Sequence, residues 1–380
     1  MRRRGMQALP HEITLVTTIA AALGLALVFG FLAAKIRLPP LVGYLVAGTL
    51  LGPAMSGYIA DVEMAGQLAE VGVMLLMFGV GLHFSIDDLG QVRKIALPGA
   101  MLQMAASTVA GWSLARLWGW DDAASLVFGL SLSVASTVVL IKILESRGIL
   151  ETTNGRIAVG WLVVEDLAMV LVLVLLPPTA RSLSGDGGGF SLSSTASTLA
   201  LAVAFIALML LFGRKLFPWI LWQVAKTGSR ELFTLCVVAI AVGIAFEASK
   251  LFGVSFALGA FFAGMVLRES DLSHRAAEES LPLRDAFSVL FFVSVGMLFD
   301  PRVLVQHPFQ ILAVLALIML FNSLVTAAIV LAFRYPLNTA LTVGAGTAQI
   351  GEFSFVLMGL GCSIGIVGAY EQSLVLGGAL

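Results

Sequence analysis

Charge is what this chain has least of. Asp, Glu, Lys and Arg make up 12% of its 380 residues, about half the roughly 25% of an ordinary soluble domain. With 59% of positions apolar and a mean hydropathy of +1.00, too little polar side chain remains to cover a water-exposed globule. Intrinsic disorder, a soluble enzyme and nucleic-acid binding are all disfavoured, and a net charge of -1 adds no pull toward a polyanion. Cysteine is almost missing: Cys236 and Cys362 both lie in apolar runs, so neither a disulfide framework nor a thiolate metal site can be built. The four histidines, His11, His83, His274 and His307, are scattered near the ends of apolar runs and suggest no metal cluster. Gly185-Asp186-Gly187-Gly188-Gly189 lacks the Lys-Ser/Thr of a phosphate loop. No cofactor is expected in this chain.

Long apolar runs are abundant. Measured against the roughly 20 residues a helix needs to cross a bilayer, they predict spans near 13–34, 39–54, 67–84, 95–117, 123–145, 157–178, 196–213, 231–248, 251–267, 285–299, 309–333 and 339–361. A thirteenth begins before Leu380, so the polypeptide is expected to continue beyond it. Met1-Arg2-Arg3-Arg4 has the look of a signal peptide's basic start, but the run from Ile13 is long and others follow, which predicts a retained first helix. Counted over alternate loops, 15 of the 22 Lys/Arg fall on one side. The positive-inside rule then places the N-terminus outside and the C-terminus in the cytoplasm.

The Ser/Gly-rich stretch 179–195 reads as a flexible external linker between a first repeat (1–178) and a second part (196–380) that holds span 7 and spans 8–13. Gly43, Ala47 and Gly48 of span 2 recur as Gly259, Ala263 and Gly264 of span 9, an offset of 216. Leu75, Val80, Gly81 and Phe84 recur as Leu290, Val295, Gly296 and Phe299, an offset of 215. Seven spans separate the copies, and an odd number reverses direction through the membrane. That is an inverted-topology repeat, an architecture of secondary transporters, whose ion sites lie near the midplane at broken helices. Gly48-Thr49-Leu50-Leu51-Gly52 is a GxxxG match that hints at close helix packing.

Ionisable groups deep in a span are functional candidates. Glu165-Asp166 sits in the middle of span 6, and successive helical residues point about 100° apart, so one carboxylate should face a cavity and the other elsewhere. A carboxyl that is neutral when protonated and binds a cation when ionised is what proton/cation exchange needs. Span 5 carries Ser131, Ser133, Ser136 and Thr137, whose hydroxyls either bond back to their own helix or serve a hard alkali cation. Span 12 carries Gly344, Gly346 and Gly351, which permit an unwound segment, with Gln349 and Glu352 polar at depth. Asn322 lies centrally in span 11, either as a helix-helix hydrogen bond or in support of the site.

LPPLVGYLVAGTLLGP (38–53), LLMFGVGLHFS (75–85), LSVASTVVL (132–140), VEDLAMV (164–170), FFVSVGMLFDP (291–301) and GEFSFVL (351–357) together resemble the monovalent cation:proton antiporter-2 family, Kef-type members above all. The resemblance covers nearly the whole chain in order. It implies an all-α polytopic membrane protein of about thirteen helices, with a sodium/proton-antiporter-like fold of two inverted repeats and crossing broken helices in spans 5 and 12. It also implies a dimerising panel (about 13–84 and 231–299), and a core (about 95–178 and 309–380) that moves past it as an elevator. Asp166 takes the ion- and proton-binding position, and Glu165 the one before it, where Kef-type members often carry Gln. Asn322 stands where many relatives carry a lysine. Such proteins commonly continue into a cytoplasmic nucleotide-binding regulatory domain, here expected after residue 380.

The expectation is a homodimer in the inner membrane that exchanges K⁺ or Na⁺ for H⁺ by alternating access. Asp166 is the shared site and Glu165 tunes it or carries a second proton. Ser133, Ser136, Thr137 and Gln349 supply oxygens, Asn322 supports the site, and Glu352 binds or balances helix termini. A ligand-gated K⁺ efflux channel on the same scaffold is the alternative, and a sensor that has lost transport a third reading.

Overall fold

The computed structural model describes residues 11–54, 62–83, 86–150, 152–183 and 192–379, and every regular element among them is helical. The Arg2–Arg4 cluster, Phe84 and the glycines at 185 and 187–189 lie outside the described residues. A helix is what an apolar chain must form in lipid, where backbone N–H and C=O groups find no water.

The chain opens with α1 (His11–Lys35), α2 (Pro40–Leu51) and α3 (Val62–His83). Pro40 takes the first helical position of α2, where no N–H is required. The long α4 (Ile86–Leu117) carries Pro98 in its interior. Two half-helices follow, α5 (Asp122–Leu132) and α6 (Thr137–Ser146), on either side of a non-helical stretch, 133–136. Next come α7 (Thr153–Leu183), α8 (Leu192–Leu208) and α9 (Arg214–Ala225), the last two joined by a π-helical turn, Met209–Gly213. The second half runs through α10 (Arg230–Phe252), α11 (Phe256–Arg268), α12 (Ser273–Met297) and the short α13 (Arg302–Gln306). It continues with α14 (Pro308–Ala316) and α15 (Asn322–Ala332), joined by a second π-helical turn, Leu317–Phe321. Another pair of half-helices, α16 (Leu337–Gly346) and α17 (Glu352–Ser363), flanks 347–351, and α18 (Ala369–Ala379) closes the described chain. Among the described residues, seven helical stretches are long and apolar enough to cross a membrane, and α2, α5, α11 and α17 are shorter apolar helices.

Four expected boundaries change. Span 10 was placed at 285–299, yet α12 is helical from Ser273, because the charged residues of SHRAAEESLPLRD end the apolar run without ending the helix. Span 7 lengthens in the same way to Leu192–Ala225. The linker assigned to 179–195 shrinks: α7 persists to Leu183 and α8 starts at Leu192. The tight join expected near 249–250 falls a little later. Gly253 adopts φ +65 at the end of α10, and Ser255 Oγ accepts from Leu258 N at 3.3 Å to start α11.

Two sets of helices pack within themselves. In the first, α3 lies on α11 and α12, α2 on α1 and α12, and α10 on α11. In the second, α4 packs on α5, α7 and α15, α16 on α7 and α15, and α17 on α5. The tightest crossings of the first set are made by glycine. A Cβ on Gly48 would lie 2.0 Å from Val293 O, and one on Gly296 2.2 Å from Leu45 O. A Cβ on Gly264 would lie 2.1 Å from Phe78 O, and one on Gly81 2.1 Å from Phe261 O. The offsets of 216 and 215 carry Leu45 and Gly48 onto Phe261 and Gly264, and Phe78 and Gly81 onto Val293 and Gly296. The sets meet where Phe355 of α17 stands edge-on to Phe292 of α12, with ring centroids 6.2 Å apart, and where Asp300 N donates to Ser373 Oγ at 3.2 Å.

Candidate functional site

A break in a buried helix frees backbone groups that must find other partners. At the α5–α6 break these partners come from three helices and from the second break. Leu132 O accepts from Asn322 Nδ2 of α15 at 2.8 Å, and Ser133 O from Gln103 Nε2 of α4 at 3.1 Å. Val134 O accepts from Gly351 N at 3.0 Å. Ala135 N donates to Glu165 Oε2 of α7 at 2.9 Å. Ser136 Oγ then starts α6 by accepting from Val139 N at 3.3 Å.

The second break leans on the first. Gln349 Nε2 donates to Ser136 O at 3.2 Å and to Gly346 O at 3.0 Å, and Ser136 Oγ donates to Glu352 Oε2 at 3.3 Å. A Cβ on Gly351 would lie 2.7 Å from Ala135 O, so the two breaks touch through backbone. Of the glycines expected to unwind span 12, Gly344 and Gly346 remain inside α16, and only Gly351 lies in the break.

Asp166 sits at this crossing. Its Oδ2 accepts from Thr137 Oγ1 at 2.8 Å, at the first turn of α6. The residue keeps 8% of its surface, whereas Glu165 keeps none. One carboxylate was expected to face a cavity and the other elsewhere; Glu165 reaches Ala135 N in the break and Asp166 reaches Thr137 Oγ1, two residues on, at the start of α6. Their difference lies in access. Glu165 is sealed onto a backbone amide, while Asp166 is held by a hydroxyl that could turn to serve an ion. Glu352 and Glu165 both act on Asp166 as like charges, and Arg284 of α12 acts on Glu352 as an opposite one.

The structure therefore brings Asp166, Glu165, Ser136, Thr137, Gln349, Glu352 and Asn322 to the two breaks. Ser133 is at the break too, but its hydroxyl bonds back to Leu130 O at 2.8 Å, and only its carbonyl is engaged from outside α5. Ser131 likewise bonds back, to Phe128 O. Two residues escaped the sequence reading. Gln103 is an amide in the middle of an apolar span, as Asn322 is, and that pattern was its available signal. Arg284 looked like the end of a charged loop; it lies within α12, its side chain runs beside Gly79 of α3, and its Nη2 donates to Asp285 Oδ1 at 2.9 Å.

Thr137 offers a direct test. A hydrogen bond to a charged group contributes about 1.5–3 kcal/mol. Thr137→Val keeps the shape and removes the donor, so exchange assays should show the apparent KM for the cation raised roughly tenfold, about 1.4 kcal/mol, with normal protein yield. An unchanged KM would remove the hydroxyl from the site.

Residues 22–378 match the family model described as sodium/hydrogen exchanger, transmembrane. The chain is 55% identical over 372 residues to an Escherichia coli K12 protein named "Putative cation/proton antiporter YbaL", covering 97% of this chain and 67% of that one. It is 34% identical over 342 residues to K(+) efflux antiporter 4 of Arabidopsis thaliana, covering 89% of this chain and 57% of the plant protein's length. Its fold is similar to that of the sodium proton antiporter MjNhaP1 of Methanocaldococcus jannaschii, with a TM-score of 0.69, 16% identity, and coverage of 97% of this chain and 94% of the other.

Proposed function

Because the chain belongs to the sodium/hydrogen exchanger transmembrane family, a family of multi-pass membrane transporters rather than enzymes, we propose that it exchanges a monovalent cation, K⁺ or Na⁺, for H⁺, with Asp166 as the shared site. The observation that carries this is the placement of Asp166. It is a nearly buried carboxylate at two touching helix breaks, with one hydroxyl partner and a trace of remaining access. Cation and proton compete for it, so one site and one change of access suffice for exchange in either direction. Thr137, Ser136 and Gln349 carry oxygens within reach of the break, Glu352 adds a second carboxylate, and the name of the plant relative makes K⁺ the first cation to test.

In this reading the chain has thirteen spans, its halves form an inverted repeat, and the N-terminus lies outside. The paired glycine crossings support the repeat, since each contact of Gly48 with α12 has its counterpart in a contact of Gly264 with α3. The helices around α2, α3, α11 and α12 form the panel that dimerises. The helices around α5, α7, α16 and α17 form the core that moves past it, with Phe292 and Phe355 on the sliding face.

The test is proton movement in proteoliposomes under an imposed pH gradient, adding K⁺ or Na⁺ in turn. An antiporter lets one of them collapse the gradient and so identifies the ion. If neither does while labelled K⁺ still enters passively, the protein is a channel.

A further inference from the structure

Gln103 has no place in the exchange site as described, yet it is 1% exposed in the middle of α4 and engages the break itself. Its Nε2 donates to Ser133 O at 3.1 Å and to Ser107 Oγ at 3.2 Å. One residue earlier, Leu132 O is held by the amide of Asn322, also 1% exposed, at the exit of the π-helical turn of α14–α15. The last carbonyl of α5 and the first of the break are thus gripped by two neutral amides from two different helices. Among the described residues neither amide oxygen, Gln103 Oε1 or Asn322 Oδ1, has a hydrogen-bond partner. A buried acceptor left unpaired is costly, so each amide is present for its donor and tolerates its idle oxygen. A residue that served only to fill space would be apolar.

We propose that Gln103 is a positioning residue of the exchange site, paired with Asn322 across α5. By fixing the carbonyl end of α5 it sets where the chain re-enters α6, and hence where Thr137 presents its hydroxyl to Asp166. The effect is transmitted from Ser133 to Thr137 through the non-helical stretch 133–136, where Val134 O and Ala135 N bond to Gly351 N and Glu165 Oε2 rather than within a helix. The α5 end is negative, as any helix C-terminus is. Two neutral donors hold it there without placing a permanent positive charge beside Asp166, which leaves that carboxylate free to take a mobile cation. This assignment rests on the reading of Asp166 as the ion site.

The experiment measures cation-dependent exchange in proteoliposomes for Gln103→Met and Ser107→Ala, with Asp166→Asn alongside. Methionine keeps the length and bulk of Gln103 and removes the donor. The apparent KM for the cation should rise about tenfold in Gln103→Met, on the order of what leaving a buried carbonyl unpaired implies, and stay within about twofold of wild type in Ser107→Ala, where the bond to Ser133 O survives. A residue needed only for folding would lower the yield of active protein and leave KM unchanged. That result, or an equal KM rise in Ser107→Ala, overturns the proposal. If Gln103→Met does not reach the membrane, Gln103→Leu supplies the same readout, because its apolar side chain also fills the site without a donor. The reading of Asp166 fails separately, through exchange that survives in Asp166→Asn.

Discussion

Asp166→Asn is expected to abolish cation-driven proton movement while leaving the folded protein and its yield intact. The amide preserves the shape and can still accept from Thr137 Oγ1, which now lies 2.8 Å from Asp166 Oδ2. What it cannot do is release a proton and take up a cation. Breaking a buried ion pair by removing one charge costs about 3–5 kcal/mol, so exchange should fall by more than about 100-fold. Glu165→Gln should behave differently. Glu165 acts through Oε2, which accepts from Ala135 N, and a glutamine carbonyl can accept the same bond. Exchange in that variant should stay within about tenfold of wild type, the loss expected when one charged hydrogen bond becomes neutral. If Glu165→Gln abolished exchange and Asp166→Asn still exchanged, the roles given to the two carboxylates would have to be reversed.

A pH dependence follows from the same competition. When proton and cation share one carboxylate, acid raises the apparent KM for the cation and leaves the maximal rate unchanged. Below the pKa of the site the rise approaches tenfold per pH unit, about 1.4 kcal/mol. A separate proton site would instead lower the maximal rate. Titrating the cation at several pH values in wild type and Glu165→Gln distinguishes one titrating carboxyl from two.

Much of this site could be read in the sequence, and what could not has identifiable causes. Glu165 and Asp166 stand out because charge in the middle of an apolar run is rare, and the break in span 5 because Ser133, Ser136 and Thr137 crowd one stretch of it. Gln103 did not stand out. A search for ionisable groups passes over a neutral amide, and nothing local shows that Gln103 will meet a carbonyl 30 residues away. Helix ends were misjudged for a related reason. Hydropathy reports contact with lipid rather than helicity, so α12 reads as starting near residue 285 although its charged first turns are just as helical. That error hid Arg284 as a helical residue, since α12 continues through it.

Gly48→Ala and Gly264→Ala should both cost most of the folded protein, and to a similar degree. Their added Cβ atoms would lie 2.0 Å from Val293 O and 2.1 Å from Phe78 O, distances no real Cβ contact adopts, and each obstacle is backbone that cannot rotate away. Overpacking in a core typically costs about 1–3 kcal/mol, and helices forced apart along a crossing also lose the contacts on either side of it. Gly24→Ala and Gly243→Ala are the controls. Both lie within helices, no heavy atom stands within 4 Å of an added Cβ, and the change should be neutral or stabilising by up to about 1 kcal/mol. Thermal unfolding in detergent, with the yield of monodisperse protein, measures all four. Equal losses for Gly48 and Gly264 are what two inverted copies of one contact require. Loss at Gly48 with tolerance at Gly264 would mean that the offset of 216 reflects a chance match of small residues. The surviving fraction adds a second criterion, since these crossings lie away from Asp166. Protein that folds despite Gly264→Ala should exchange with an unaltered cation KM, which separates the scaffold from the residues that bind the ion.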